Sequence, residues 1–289
     1  MTMKAIVWNG TPEPEVRDVS VPEVHGGEVR IRVEGAGICG TDLSILAGKH
    51  PRAQAPLVLG HEFVGTVDAV GDGVSGIEAG SFVTVEPTVS CGECVACRSG
   101  APHVCSSLRL YGIDLPGGFA EYTSVAADRV VPIPPSLPRE IAVLAEPTAV
   151  AIHAVRMSSV RIGDAVVVVG GGPIGLLIAL TLRAAGVVDV LISEPAAGRR
   201  GVADALGFDT IDPTTTDLAE TAKARTDGAG ADVVFEAAGS AAAILSATTV
   251  LRPRGEVVQV SIPKEPRAMS IVDITFKELS VVGVRVYEA

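Results

Sequence analysis

The stretch AVVVVGGGPIG, residues 165–175, decides how the second half of this chain folds. Its uninterrupted apolar run, Ala165–Val169, reads as a strand buried on both faces. Gly170, Gly172 and Gly175 follow with the spacing Gly-x-Gly-x-x-Gly, and Pro173 and Ile174 lead into the helical run Leu176–Ala185. Without side chains, the backbone can turn tightly and approach a pyrophosphate at the helix N-terminus, and the third glycine lets the helix pack closely on the sheet. A plain tight turn would show the same glycines, so the context matters. The next apolar run, Val187–Ser193, ends at Glu194, near the separation expected of an acid that accepts both ribose hydroxyls. A carboxylate there repels a 2′-phosphate, which favours NAD over NADP. Arg199, next to Arg200, is the nearby cation that could partly restore NADP binding.

Further runs at Asp232–Phe235, Glu256–Val260 and Ser280–Val284, with a short one at Thr210-Ile211, alternate with Ala-rich helical stretches. Parallel neighbours need crossover connections, so six strands separated by helices predict a doubly wound parallel sheet. The first half has another grammar. Short runs at Lys4–Trp8, Val29–Val33, Phe63–Val70, Phe82–Val85 and Ala120–Val125 are punctuated by Gly and Pro, and helical periodicity is nearly absent. A helix over Ile141–Val160 joins the halves. The expectation is an α/β chain of two domains, residues 1–150 and 151–289, which suits a length of 289 residues.

A composition of 47% hydrophobic and 20% charged residues is that of a globular protein. The 23 basic and 34 acidic residues give a net charge of −11, and no basic cluster exceeds Arg199-Arg200. That argues against a nucleic-acid surface, which needs a positive footprint. Met1–Gly10 has no apolar signal core, and Gly170–Pro173 would break the uncharged stretch Ala165–Leu182 as a membrane span. A soluble cytoplasmic protein is expected.

The cysteines are Cys39, Cys91, Cys94, Cys97 and Cys105, an odd number that points to metal binding or catalysis more than to disulfides. The last four are separated by two, two and seven residues. Four thiolates can enclose a tetrahedral structural zinc, and an iron–sulfur cluster is the competing reading. A second set is dispersed: Cys39-Gly40-Thr41-Asp42, Gly60-His61-Glu62 and Ala145-Glu146. A thiolate, an imidazole and one or two carboxylates suffice for a catalytic zinc with an open position. A buried apolar cysteine and a hydrogen-bonded core histidine account for the same residues equally well.

The order of these motifs, with Gly117-Gly118-Phe119-Ala120-Glu121-Tyr122 between them, resembles the zinc-containing medium-chain alcohol dehydrogenase family over essentially the whole chain. The resemblance implies a GroES-like β-rich catalytic domain, a Rossmann domain and an active site between the two. It implies one catalytic zinc on Cys39, His61 and Glu62, one structural zinc on Cys91, Cys94, Cys97 and Cys105, and NAD as cofactor. Asp42 would accept a hydrogen bond from His61, and Thr41 would pass the substrate proton outward. Glu146 stands where other members place a second cysteine, which resembles the sorbitol, threonine and butanediol dehydrogenase branch and implies a secondary alcohol or polyol as substrate. Glu146 would bind zinc directly or through water. Relatives often continue the proton relay with a histidine where Ser44 stands here, leaving His50 as a substitute. Family members also continue past the sixth strand with a segment that returns to the catalytic domain. The chain ends at Ala289, so the resemblance implies that this segment is absent and that stability and turnover suffer. A zinc-free quinone or enoyl reductase on the same plan would lack the Cys39, His61 and Glu62 set. A catalytically idle NAD- and zinc-binding remnant or regulatory protein is the alternative function. Pairing through the edge around Glu256–Pro263 and Met269–Thr275 would make a homodimer or homotetramer.

Overall fold

Two compact units divide the chain, Met1–Glu146 and Pro147–Ala289, in a computed structural model that describes residues 1–288. In the first unit a five-stranded antiparallel sheet runs in the order Val130–Pro132, Phe82–Val85, Glu62–Val70, Glu28–Gly37, Tyr122–Ala126. Alternate residues of these strands, among them Val29, Ile31, Phe63, Val67, Val83, Val85 and Val125, turn into one core. That is the period-two burial expected of a sheet with one covered face. A smaller sheet places Thr2–Trp8 between Glu15–Ser20 and Leu57–Val58.

Two bulges interrupt the long pair Glu28–Gly37 and Glu62–Val70, and its register sets Gly37 opposite Glu62. A Cβ on Gly37 would meet the Glu62 carboxylate, so a side chain there would have to displace that head from its place beside Cys39 and His61. The Gly117-Gly118-Phe119 segment is explained the same way. Gly117 and Gly118 donate backbone hydrogen bonds to Val58 and Gly60 (both 2.8 Å), and Phe119 fills the space that a side chain on Gly60 would need. Those contacts hold the strand entry at His61 and Glu62.

The second unit is a six-stranded parallel sheet in the order Asp209–Ile211, Val190–Ser193, Val166–Val169, Ala231–Glu236, Leu251–Gln259, Ser280–Gly283. Successive valines alternate faces: Val166 and Val168 pack with Ile178, Ala179 and Leu182, while Val167 and Val169 pack with Leu218, Ala222 and Ala247. Each fully buried valine contributes roughly 1.5 kcal/mol or more. This is the doubly wound arrangement expected, with the Rossmann strand order. The combination of a GroES-like antiparallel sheet and a Rossmann sheet is the fold of this chain.

Three local expectations need correction. The joining helix is not continuous over Ile141–Val160; it is two helices, Arg139–Ala142 and Ala145–Met157. Pro147 has no N–H to donate to the carbonyl of Val143, so the ladder cannot run through that point, and the second helix starts anew with proline in its first turn. The strand expected from Val187 begins at Val190, after a turn at Gly186 with φ of 91°. The first half also holds the seven-residue helix Gly40–Leu46, too short to show periodicity. No helix among the described residues is long and apolar enough to cross a membrane.

Candidate active site and metal centres

The helix Gly40–Leu46 begins where Asp42 accepts a hydrogen bond from the backbone N–H of Cys39 at 2.9 Å. An acceptor at the third helical position satisfies one of the donors that a helix start leaves free. This cap points Cys39 towards the strand entry that carries His61 and Glu62. One ligand atom from each of Cys39, His61 and Glu62 lies within 4.8 Å of the others. Burial pushes the Cys39 thiol up to about 12, and contacts from the Thr41 backbone and hydroxyl offset it only in part. Burial likewise raises the carboxyl groups of Glu62 and Asp42, against the pull of His61. Ionising a thiol and two carboxyl groups held in such a place needs a cation, and the donor set fits zinc.

His61 Nδ1 and Asp42 Oδ1 are buried, 3.8 Å apart, and neither has a hydrogen-bond partner among the described residues. The hydrogen bond expected between them is therefore not formed at this distance. With Nδ1 turned to Asp42, Nε2 is the nitrogen left for a metal. Thr41 is half-buried in the first turn of the helix. Glu146 is buried in the first turn of Ala145–Met157 and is not one of the three grouped ligands. Ser44 is buried, and His50 Nδ1 accepts from the backbone of Ala53 at 3.2 Å, which ties that imidazole to its own turn.

The cysteine lobe is assembled around the short helix Val95–Arg98. All five cysteines are free thiols. The Sγ separations are 3.9 Å for Cys91–Cys97 and 3.5 Å for both Cys94–Cys97 and Cys91–Cys105. A tetrahedron with Zn–S bonds near 2.3 Å has edges of about 3.8 Å, so the four sulfurs fit a structural zinc. Backbone N–H groups, first that of Cys97, lower the Cys94 thiol to about 5, while burial and then Cys94 itself raise Cys97 to about 11. The four cannot all ionise without a shared cation.

In the second unit the helix Pro173–Ala184 starts at Gly172, and Gly170 turns the chain at φ of 108°. A Cβ on Gly175 would collide with the Gly170 carbonyl, whereas one on Gly172 would meet open space. Tight packing behind and room in front is the shape a pyrophosphate cradle needs. Glu194 is buried at the end of its strand and accepts from the N–H groups of Gly171 and Ala196, both at 2.9 Å. Each oxygen keeps acceptor capacity for a ribose hydroxyl. Arg199 is exposed, 3.7 Å from Glu194, whereas Arg200 is committed to the Glu194 and Pro195 carbonyls and to Asp212. Motif reading passed over Glu236, a fully buried acid beside this turn, because no spacing rule singles it out in its strand.

Comparison with known proteins agrees with this geometry. Residues 25–135 match the alcohol dehydrogenase GroES-like domain and residues 173–289 match the zinc-binding dehydrogenase family. The chain is 41% identical to 2-dehydro-3-deoxy-L-galactonate 5-dehydrogenase of Pseudoalteromonas atlantica, covering 92% of this chain and 78% of that one. It is 38% identical to L-threonine 3-dehydrogenase of Pyrococcus abyssi, over 93% and 79% of the two chains. A crystal structure of a zinc-binding dehydrogenase from Sinorhizobium meliloti, bound to NADP, superposes with a TM-score of 0.94 at 36% identity, covering 100% of this chain and 85% of that one. The chain belongs to the zinc-containing medium-chain alcohol dehydrogenase family. It is an oxidoreductase that transfers a hydride between an alcohol and a nicotinamide dinucleotide, and the idle-remnant alternative is not favoured.

Proposed function

We propose that this enzyme oxidises a secondary alcohol flanked by a further polar group, a polyol, vicinal diol or β-hydroxy amino acid, with NAD as hydride acceptor. The observation that carries it is the Cys39, His61 and Glu62 group, with a second buried glutamate, Glu146, on the helix that follows. The relatives named for a sugar acid and for threonine support the same substrate class. Cys39, His61 and Glu62 would hold the catalytic zinc, Glu146 would reach it directly or through water, and Cys91, Cys94, Cys97 and Cys105 would hold the structural one.

Bound there, zinc supplies Lewis acidity that favours the alkoxide form of a substrate hydroxyl. Thr41, beside Cys39, takes the hydroxyl proton outward. Gly170, Gly172, Pro173, Ile174 and Gly175 seat the pyrophosphate, and Glu194 accepts from the ribose hydroxyls. The Glu194 carboxylate disfavours a 2′-phosphate, and Arg199, exposed beside it, is a cation placed to reverse that preference. Reduced thiols and NAD chemistry suit the cytoplasm.

Zinc per chain, measured by elemental analysis before and after Cys39→Ser, tests the site. Two zincs falling to one, with loss of NAD-dependent oxidation of L-threonine and butane-2,3-diol, is the expected result. One zinc unaffected by the change would overturn it.

The same chain should self-associate. The sheet edge is not at Glu256, whose strand Leu251–Gln259 is flanked on both sides, but at Ser280–Gly283, and Ile262, Ile271, Val272 and Phe276 nearby in sequence are 66% exposed or more. An unpaired edge with apolar neighbours favours a two-fold pairing of copies. Light scattering should give a dimer or tetramer for the wild type and a smaller species for Phe276→Glu; an unchanged mass would count against this edge.

A further inference from the structure

We propose that Glu236 is a positioning residue for the dinucleotide, holding the loop Ala237–Gly239 in place against the glycine turn; this rests on the reading that the second unit binds NAD. Glu236 ends the strand Ala231–Glu236 and is 0% exposed, the most deeply buried carboxylate among the described residues. Among the described residues no cation pairs with it, and four neutral donors surround it. Oε1 accepts from the backbone N–H groups of Ala238 (3.0 Å) and Gly239 (2.8 Å). Oε2 accepts from Gln259 Nε2 (2.7 Å) and from the Ser261 hydroxyl. A carboxylate offers about four lone-pair sites, and the four donors take them up. Such an arrangement is costly to bury and has to be well satisfied to persist.

Its position gives it a task. The four donors come from the C-terminal ends of two neighbouring strands, Ala231–Glu236 and Leu251–Gln259, and the residues just past them: Ala238 and Gly239 after the first, Gln259 and Ser261 at the end of the second. Ligands of open parallel sheets bind at that end. The loop it organises lies directly on the glycine turn: a Cβ on Gly170 would sit 3.1 Å from the Ala237 carbonyl carbon and from Ala238. Ala237 N–H also donates to the carbonyl of Val169 at 2.9 Å, the residue before that turn. Glu236 therefore fixes the wall behind the pyrophosphate cradle and the strand end carrying Ser261 in one network. Glutamine replaces it only in part: the Ser261 hydroxyl can turn to accept from its NH₂, but the Gln259 NH₂, held by the Ser261 carbonyl, stays a donor facing a donor.

NADH affinity, read by fluorescence titration, tests this in the zinc-loaded enzyme, with kcat and both KM values measured alongside. Glu236→Gln should weaken NADH about tenfold, the loss expected for one buried hydrogen bond to a charged group. Glu236→Leu should weaken it further. The KM for the alcohol, kcat at saturating NAD and zinc content should stay near wild type, a split that a merely structural defect would not give. Should Glu236→Leu not fold, Ser261→Ala removes a single donor and should still weaken NADH, by less than Glu236→Gln. NADH affinity within twofold of wild type in folded Glu236→Gln and Ser261→Ala would overturn the assignment. A wild-type chain that binds neither NADH nor NADPH would instead overturn the nucleotide reading, and this one with it.

Discussion

A methyl group added at Gly175 would collide with the carbonyl oxygen of Gly170, so alanine there must push the helix Pro173–Ala184 away from the turn it follows. The cradle opens while the sheet behind it stays intact. Gly175→Ala should weaken NADH at least tenfold, the consequence of losing more than about 1.4 kcal/mol of binding, with the zinc content unchanged. Unaltered NADH binding would contradict this account of the turn. Spacing alone made this glycine legible, because the pattern is local in sequence. Gly37 was not legible. Its place beside the Glu62 carboxylate arises only because strand register sets the two opposite, across a pair interrupted by two bulges. Distances between functional groups were equally hidden: the motif predicted a hydrogen bond between His61 and Asp42, and the fold leaves them 3.8 Å apart.

At the scale of elements, the short helix Arg139–Ala142 is tied to the strand Glu28–Gly37 through one acid. Glu34 accepts from the Thr66 hydroxyl at 2.8 Å and pairs with Arg139 and Arg32. Burial would raise its carboxyl, but the Thr66 and Arg139 hydrogen bonds outweigh that and hold it below the ordinary 4.5. A depressed folded value means the unfolded chain binds the proton more readily, so the contribution is complete above pH 4.5 and is lost as pH falls through the folded value. Glu34→Gln should cost about 1.5–3 kcal/mol at pH 7 in urea unfolding, the range for hydrogen bonds to a charged group. The difference from wild type should shrink steadily below pH 4.5. A gap that persists undiminished to pH 3 would show that this ionisation is not its source. Most strands were legible from apolar runs, since buried parallel strands leave little freedom in residue type. The helix Gly40–Leu46 was not, because its formation depends on the Asp42 cap and its neighbours more than on a repeat.

For the whole molecule, the division into Met1–Glu146 and Pro147–Ala289 matters because each unit has its own apolar core and its own ligand chemistry. Ligands that bind one folded unit stabilise that unit by mass action. NADH at about a hundred times its Kd should add about 2.7 kcal/mol to the unit that binds it. Chelation of zinc should lower the other. Calorimetry should therefore show one transition that moves with NADH and another that moves with the chelator. A single transition shifting as a whole with either ligand would mean that the units unfold together.

By itself the sequence determined the fold class, the two grammars, the glycine turn and the four-cysteine lobe, and it singled out Cys39, His61 and Glu62 as a candidate metal set. Each of these is a matter of local spacing or of alternation along one strand. Tertiary structure alone decided that Cys39, His61 and Glu62 come within reach of one another, that Gly37 faces the Glu62 carboxylate, and that Glu236 joins two strand ends beside Gly170. Those facts depend on register and on packing between segments distant in the chain, where a one-residue slip would turn every side chain to the opposite face.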